Sequence, residues 1–122
     1  MNTTPLVAVI DDNDHVLAAI ERLLKMQNYE VHTFTSAEAF LESQQLSCTS
    51  CVVSDLRLPG MHGLTLFERL KQRDESLPLI FITAHPEDIS RRQPDGIEPV
   101  CVLKKPFDAD QLIDCINRAL NP

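Results

Sequence analysis

The side chains best suited to chemistry in this 122-residue chain are carboxylates that follow short apolar segments. Asp11 and Asp12 come directly after Leu6–Ile10, and Asp55 comes after Cys51–Val53 with one serine between them. If these segments are neighbouring strands, the three carboxylates crowd together, and like charges that close must take up protons or be neutralised by a cation. Magnesium suits oxygen ligands better than zinc, which prefers nitrogen and sulfur. The pattern therefore predicts a Mg²⁺ site with room for a phosphoryl group.

Two further residues after apolar segments add hydrogen-bond donors, a hydroxyl at Thr83 and an amine at Lys105. Together the residues suit phosphoryl transfer, in which a carboxylate accepts the group while Mg²⁺, lysine and threonine stabilise its oxygens. Each residue also has an ordinary explanation. Asp11 and Asp12 suit an acidic helix N-terminus, Thr83 could bond nearby backbone, and Lys105 could be a solvated amine.

The positions of these residues depend on alternating strands and helices. Five short apolar segments predict strands, most of them buried on both faces: Leu6–Ile10, Val31–Phe34, Cys51–Val53, Leu79–Ile82 and Val100–Leu103. Apolar residues at helical spacing lie between and after them, and Ser36 and either Asp108 or Asp110 are the predicted N-caps. This order predicts an α/β fold, an open doubly wound parallel sheet whose ligands bind at the carboxyl ends of the strands.

Composition bounds the class of protein. The chain is 43% hydrophobic and 24% charged, which favours one globular domain over residues 1–122. A net charge of −7 argues against direct binding to nucleic acid or anionic membranes. The sequence shows no signal peptide and no apolar stretch of membrane-spanning length, so we expect a cytoplasmic protein.

The motifs resemble those of the receiver domain of two-component response regulators. The matching segments are Val9-Ile10-Asp11-Asp12, Val53-Ser54-Asp55-Leu56-Arg57-Leu58-Pro59-Gly60-Met61-His62-Gly63, Ile82-Thr83-Ala84 and Lys105-Pro106-Phe107. The resemblance implies a flavodoxin-like sheet of five parallel strands in the order 2-1-3-4-5. It also implies a cis peptide bond before Pro106, and a face formed by the fourth helix, fifth strand and fifth helix that switches on phosphorylation.

The resemblance further implies the roles of the site residues. Asp55 would be the phosphoprotein's acceptor, taking the group from a histidine kinase or phosphotransfer protein in a phosphorelay and later losing it by autodephosphorylation. Asp12, Asp55 and the backbone carbonyl of Arg57 would bind Mg²⁺ directly, and Asp11 through water. Lys105 and Thr83 would contact the phosphoryl group, and an output domain or protein target would receive the signal.

Two features depart from the family pattern. Val102 stands three residues before the lysine, where most receivers carry an aromatic switch residue, so the usual coupling to threonine cannot operate in its ordinary form. From His85 to Pro99 the aliphatic residues are few and prolines interrupt the chain. We predict a short helix near Glu87–Gln93 followed by irregular chain, and an irregular, loosely packed fourth helix that signals by changing its order.

The four cysteines are expected to be reduced thiols, because a chain of this size folds without disulfides. Cys48 and Cys51 form a C-x-x-C, but this pair leads into a strand instead of opening a helix. Cys101 and Cys115 are predicted as a strand and a helix residue, which argues against a zinc site with the first pair.

Three functions other than that of a phosphorylated receiver are alternatives for this sequence. The first alternative, a receiver-like interaction module that works without phosphorylation, is kept because of Val102 and the interrupted fourth helix. An aspartate-based phosphohydrolase would need a general acid two residues after its nucleophile, where Arg57 stands, and usually a cap domain. A flavin-binding module would place donors, not two carboxylates, after the first strand.

Overall fold

The computed structural model describes residues 4–73, 77–92 and 99–121, and its centre is a five-stranded parallel sheet. The strands are β1 (Leu6–Ile10), β2 (Glu30–Phe34), β3 (Cys51–Ser54), β4 (Leu79–Thr83) and β5 (Cys101–Lys104). The helices are α1 (Asp14–Met26), α2 (Ala37–Leu41), α3 (Gly63–Gln72), α4 (Glu87–Arg92) and α5 (Ala109–Leu120), and a 3-10 turn covers Leu46–Cys48. The predicted alternation of strands and helices is confirmed.

The strand order is β2-β1-β3-β4-β5, and all pairs are parallel, which confirms the doubly wound, flavodoxin-like fold. β1 and β3 are neighbours, with Ile10 paired to Ser54. At the other side of the sheet Thr83 pairs with Lys104. Because the strands are parallel and in register, the residues that follow these pairs all lie at one edge of the sheet.

Burial follows position in the sheet. The central strands β1, β3 and β4 are buried throughout, whereas the edge strands β2 and β5 consist mostly of partly buried and exposed residues. Leu24 of α1 and Ile116 of α5 belong to the core on one face, and Phe40 of α2 and Leu70 of α3 to the core on the other. Helices therefore cover both faces, and the strand ends are left for the site.

Side-chain caps fix where the helices start. Ser36 caps α2 as predicted, accepting a hydrogen bond from the Ala39 N–H. Asp108, not Asp110, caps α5. Asn13 caps α1 by accepting from the N–H groups of His15 and Val16, a role that the sequence did not single out. This cap leaves the preceding aspartates available for other contacts.

The fourth helix is short, as predicted. It spans Glu87–Arg92, and Gln93 with the irregular chain expected up to residue 98 lies outside the described residues. Ile89 packs, half-buried, against the core under α2 and α3. Ile89 therefore anchors the first turn of α4, and the loose packing expected for the segment as a whole stays a prediction.

The expectation that all four cysteines are thiols is wrong for one pair. Cys101 of β5 and Cys115 of α5 form a disulfide, with their Cα atoms 6.1 Å apart. They meet because α5 packs on the face of β5, a contact that the sequence separation of 14 does not reveal. Cys48 and Cys51 are free, the first exposed and the second buried. No described helix is long and apolar enough to cross a membrane.

Helix α1 allows a matched test of the core. Leu24 is 0% exposed and Met26 is 72% exposed. We expect Leu24→Ala to lower the free energy of unfolding by about 2–5 kcal/mol, because it removes buried methyl groups and leaves a cavity. Met26→Ala should change it by no more than about 0.5 kcal/mol. Urea denaturation measures both, and equal losses would contradict the packing described for α1.

Candidate functional site

Three carboxylates meet at the carboxyl edge of the sheet. One ligand atom from each of Asp11, Asp12 and Asp55 lies within 4.8 Å of the other two. Asp11 is buried, Asp55 is partly buried and Asp12 is exposed. The structure thus brings together the three acids that the sequence predicted, because β1 and β3 are neighbours in the sheet.

Backbone hydrogen bonds extend the strand pairing by one residue and so fix two of these acids. The Asp55 N–H donates to the Ile10 carbonyl at 3.0 Å, and the Asp11 N–H donates to the Phe34 carbonyl at 3.1 Å. The side chain of Asp11 is held as well, since its Oδ1 accepts from the Asn13 N–H at 2.9 Å. The cluster is therefore built on the rigid part of the fold.

Lys105 joins two of the carboxylates. Its Nζ donates to Asp11 Oδ2 and to Asp55 Oδ2, each at 2.9 Å. Its backbone N–H donates to the Thr83 carbonyl at 2.9 Å, and its peptide bond to Pro106 is cis, as the resemblance implied. Burial alone would lower the pKa of Lys105, but the hydrogen bonds to Asp11 and Asp55 outweigh it and raise that pKa. Lys105 is thus a fixed cation of the site, and the explanation as a solvated amine is wrong.

Thr83 is fully buried at the end of β4. Its Oγ1 accepts a hydrogen bond from the His85 N–H at 2.9 Å. This is the local backbone contact that a strand-ending threonine commonly makes. The structure therefore places Thr83 at the edge of the sheet where Lys104 pairs with it, and its contact with a phosphoryl group stays a prediction.

A second charged group lies beside the acids and was missed by the sequence analysis. The Arg57 guanidinium donates to both oxygens of Asp88 in α4, from Nε at 2.9 Å and from Nη2 at 3.1 Å. His62 Nε2 lies 3.6 Å from Asp88 Oδ2. The hydrogen bond from Arg57 lowers the pKa of Asp88 well below its usual range. No spacing signal could have found Asp88, because its partners come from a loop before it in the chain.

The loop after Asp55 returns close to that residue. The Gly63 N–H donates to the Leu56 carbonyl at 2.7 Å. A Cβ at Gly63 would lie 2.7 Å from the Asp55 carbonyl oxygen and 3.0 Å from the Leu56 Cα. Only glycine fits this approach, so the first residue of α3 packs directly against the backbone of Asp55. Gly60 in the same loop has a φ of +78°, a conformation that glycine adopts without strain.

The comparisons with known proteins agree with this geometry. The profile of the response regulator receiver domain matches residues 7–117. The chain belongs to this family.

Individual relatives show the same similarity over almost the whole chain. The C4-dicarboxylate transport transcriptional regulatory protein DctD of Rhizobium meliloti is 33% identical over 98% of this chain and 26% of its own length. The response regulator protein TodT of Pseudomonas putida is 31% identical over 94% and 51%. A receiver domain of an HD domain-containing protein from Pseudomonas fluorescens Pf-5 superposes with a TM-score of 0.85 at 29% identity, covering 97% of this chain and 95% of that one. The chain thus spans about a quarter to a half of these curated relatives.

Val102 stands where the resemblance predicts an aromatic switch residue. Val102 lies in the edge strand β5 with 38% of its surface exposed. The next residues toward the site, Leu103 and Lys104, alternate between half-buried and exposed. A valine has no aromatic ring, so the coupling between threonine and an aromatic residue that the resemblance implies cannot operate through this position in its ordinary form.

The lysine bridge predicts a difference between two neighbouring lysines. In a metal-free buffer with chelator, Lys105→Met should lower the free energy of unfolding by about 1–3 kcal/mol, because Asp11 and Asp55 lose a shared donor and repel each other. Lys104→Met is the matched control, since Lys104 is exposed at the end of the same strand. Urea denaturation measures both changes, and equal effects would contradict the bridge.

The contact between Arg57 and Asp88 predicts a local effect in α4. Asp88→Asn removes the charge that Arg57 pairs with, so the amides of α4 should exchange faster with deuterium. Glu87→Gln is the matched control, because Glu87 is exposed and, within the described residues, its ion pair is with the nearby His85. Unchanged exchange in Asp88→Asn, or the same acceleration in both variants, would show that this contact does not hold the helix.

Proposed function

We propose that this receiver domain accepts a phosphoryl group on Asp55 from a histidine kinase or a phosphotransfer protein. The observation that carries the proposal is the position of the Asp55 carboxylate, which shares the Lys105 ammonium with Asp11 at 2.9 Å. Such a cation stabilises the negative charge that a phosphoryl group brings to the cluster.

Asp55 suits the acceptor role better than its neighbours do. Asp11 is 2% exposed, and both of its oxygens accept hydrogen bonds, from Asn13 and Lys105. Asp12 is exposed, so the surrounding protein does little to hold its carboxylate in one orientation for a reaction. Asp55 is partly exposed, and among the described residues only its Oδ2 accepts a hydrogen bond. Its Oδ1 is free to attack phosphorus.

The proposed reaction exchanges the P–N bond of a phosphohistidine for a P–O bond to Asp55. An Asp55 oxygen attacks the phosphorus of a phosphohistidine, a P–O bond forms, and the P–N bond breaks, with the released imidazole taking up a proton. Lys105 stays charged beside the acceptor throughout. Attack by water on the same phosphorus would regenerate the carboxylate and release inorganic phosphate, which is the autodephosphorylation expected of the site.

The donor set fits a magnesium ion. Three carboxylates with ligand atoms within 4.8 Å of one another offer the hard oxygen ligands that Mg²⁺ prefers. Asp12, Asp55 and the backbone carbonyl of Arg57 would hold the ion directly, and Asp11 through water. When bound, Mg²⁺ supplies positive charge to the phosphoryl oxygens. Thr83 would donate its hydroxyl to one of those oxygens once the phosphoryl group is in place.

The contact between Arg57 and Asp88 gives the site a route to α4. The main chain of Arg57 lies two residues after the acceptor, and its side chain holds the first turn of α4 through both Asp88 oxygens. A change in the acceptor loop on phosphorylation would therefore alter this ion pair. We propose that it takes the place of the threonine–aromatic coupling, and that α4, β5 and α5 form the responding face.

The family supports a proposal for the partners and the location of the chain. Receiver domains of response regulators interact with kinases, and two of the relatives reported above are named as regulatory proteins of which this chain spans about a quarter and a half. We propose a cytoplasmic domain, without direct nucleic-acid contact of its own, that controls an output domain or a protein target. The phosphorylation-independent interaction module is not favoured, because the acids and Lys105 are assembled in the structure. The phosphohydrolase is not favoured either, because Arg57 stands where it needs an acid.

The acceptor assignment predicts a clear result for one variant. Wild-type protein incubated with acetyl phosphate and Mg²⁺ should gain one phosphoryl group by intact mass, and Asp55→Asn should gain none, because an amide cannot act as the nucleophile. Asp14→Asn is the matched control, since Asp14 is an exposed acid in the first turn of α1. It should be phosphorylated like the wild type.

The same measurement tests the metal ligands. Asp12→Asn should need a higher Mg²⁺ concentration for the same extent of phosphorylation, because one charged ligand is lost. Phosphorylation of Asp55→Asn, or phosphorylation of the wild type that is equally efficient in excess chelator, would contradict the proposed function.

A further inference from the structure

A second reactive group lies away from the acidic cluster, between the edge strand and the last helix. Cys101 is the first residue of β5 and Cys115 lies in the middle of α5. Their Cα atoms are 6.1 Å apart, within the separation that a disulfide spans without moving the backbone. The fold thus presents two sulfurs that can be joined or separated while β5 and α5 stay in place.

An arginine lies against both sulfurs. Arg118 Nη2 is 3.0 Å from Cys101 Sγ and 3.7 Å from Cys115 Sγ. A guanidinium beside a thiol favours the thiolate, which is the form that attacks disulfides. Cys101 is partly exposed, whereas Cys115 is buried. The two cysteines therefore differ in role, one open to a reagent from solution and the other placed to displace it.

We propose that Cys101 and Cys115 form a reversible thiol–disulfide site that reacts with low-molecular-weight disulfides. The Cys101 thiolate attacks one sulfur of the reagent, a mixed disulfide forms, and one small thiol leaves. Cys115 then gives up its proton and attacks the Cys101 sulfur, which forms the protein disulfide and releases the second small thiol. The protein loses two electrons and the reagent gains them, and excess small thiol reverses both steps.

The remaining cysteines do not share these features. Burial raises the pKa of Cys51 to about 12, so this thiol is inert. Cys48 is exposed, but it has no arginine and no second sulfur bonded to it in the described part of the chain. The proposal goes beyond phosphoryl transfer and does not depend on it, since Cys101 lies at the start of β5 and the acids lie at the opposite end of the sheet.

The experiment uses the full chain in buffers of oxidised and reduced glutathione, with alkylation of free thiols and peptide mapping by mass spectrometry. In oxidised glutathione, Cys101 and Cys115 should lose alkylation together and appear as one cross-linked peptide, and excess reduced glutathione should restore both thiols without denaturant. A pair that stays reduced in oxidised glutathione would overturn the proposal. A pair that stays oxidised in reduced glutathione would overturn it equally, because the bond would then be permanent.

Variants in a Cys48→Ser background test the separate roles. Cys115→Ser should accumulate the mixed disulfide with glutathione on Cys101, and its absence there would contradict the assignment of the attacking thiol. In the Cys48→Ser, Cys115→Ser protein, Arg118→Gln should slow formation of that mixed disulfide about threefold or more. Arg118→Lys, which keeps the charge, should slow it less. Equal rates in these variants and their parent would show that Arg118 does not activate the thiol.

Discussion

The site depends on a repulsion that the fold imposes and Lys105 offsets. Parallel strands in register bring Asp11 and Asp55 to one edge of the sheet, where like charges a few ångströms apart repel by about 4 kcal/mol at an effective dielectric constant near 20. Lys105 lies between these two carboxylates at 2.9 Å from each. Its position depends in turn on the pairing of β5 with β4. A phosphoryl group added to Asp55 would bring further negative charge into this balance between Asp11, Asp55 and Lys105.

The proposed route by which a signal leaves the site also depends on a contact between charges. Arg57 connects the loop after Asp55 to α4 by two hydrogen bonds to Asp88, a carboxylate that is only 6% exposed. The Arg57 side chain is 52% exposed, so this ion pair lies at the surface of the protein and is open to water on the arginine side. Val102, exposed on β5, takes no part in this connection. We propose that this ion pair, and not the rotation of an aromatic side chain, links the acceptor loop to α4.

The sequence predicted those features of the fold and site that depend on residues close together in the chain. The strand ends, the acids, Lys105 and the Ser36 cap all follow from short apolar segments and the residues next to them, so they could be predicted. The strand order came from the resemblance to the family, since alternation alone does not say which strands are neighbours. Roles that depend on the position of side chains toward a phosphoryl group or a metal ion, such as that of Thr83, stay predictions.

Two of the features that the sequence did not predict are contacts between distant segments. Asp88 lies 31 residues after Arg57, in a stretch whose composition indicated loose chain. The disulfide between Cys101 and Cys115 forms because a helix packs over a strand, and no spacing rule covers that geometry. The sequence did not single out the Asn13 cap, because acidic residues lie on both sides of it. The first two features depend on three-dimensional placement, which composition and periodicity do not encode, whereas the Asn13 cap is a local contact.

The central claim is that Asp55, and neither of the acids beside it, forms the acyl phosphate. Borohydride reduction tests it directly on the wild-type protein, since hydride converts an aspartyl phosphate to homoserine and releases phosphate. After treatment with acetyl phosphate and Mg²⁺, peptide mapping should find homoserine at position 55. Homoserine at position 11 or 12, or at neither these nor position 55, would contradict the account.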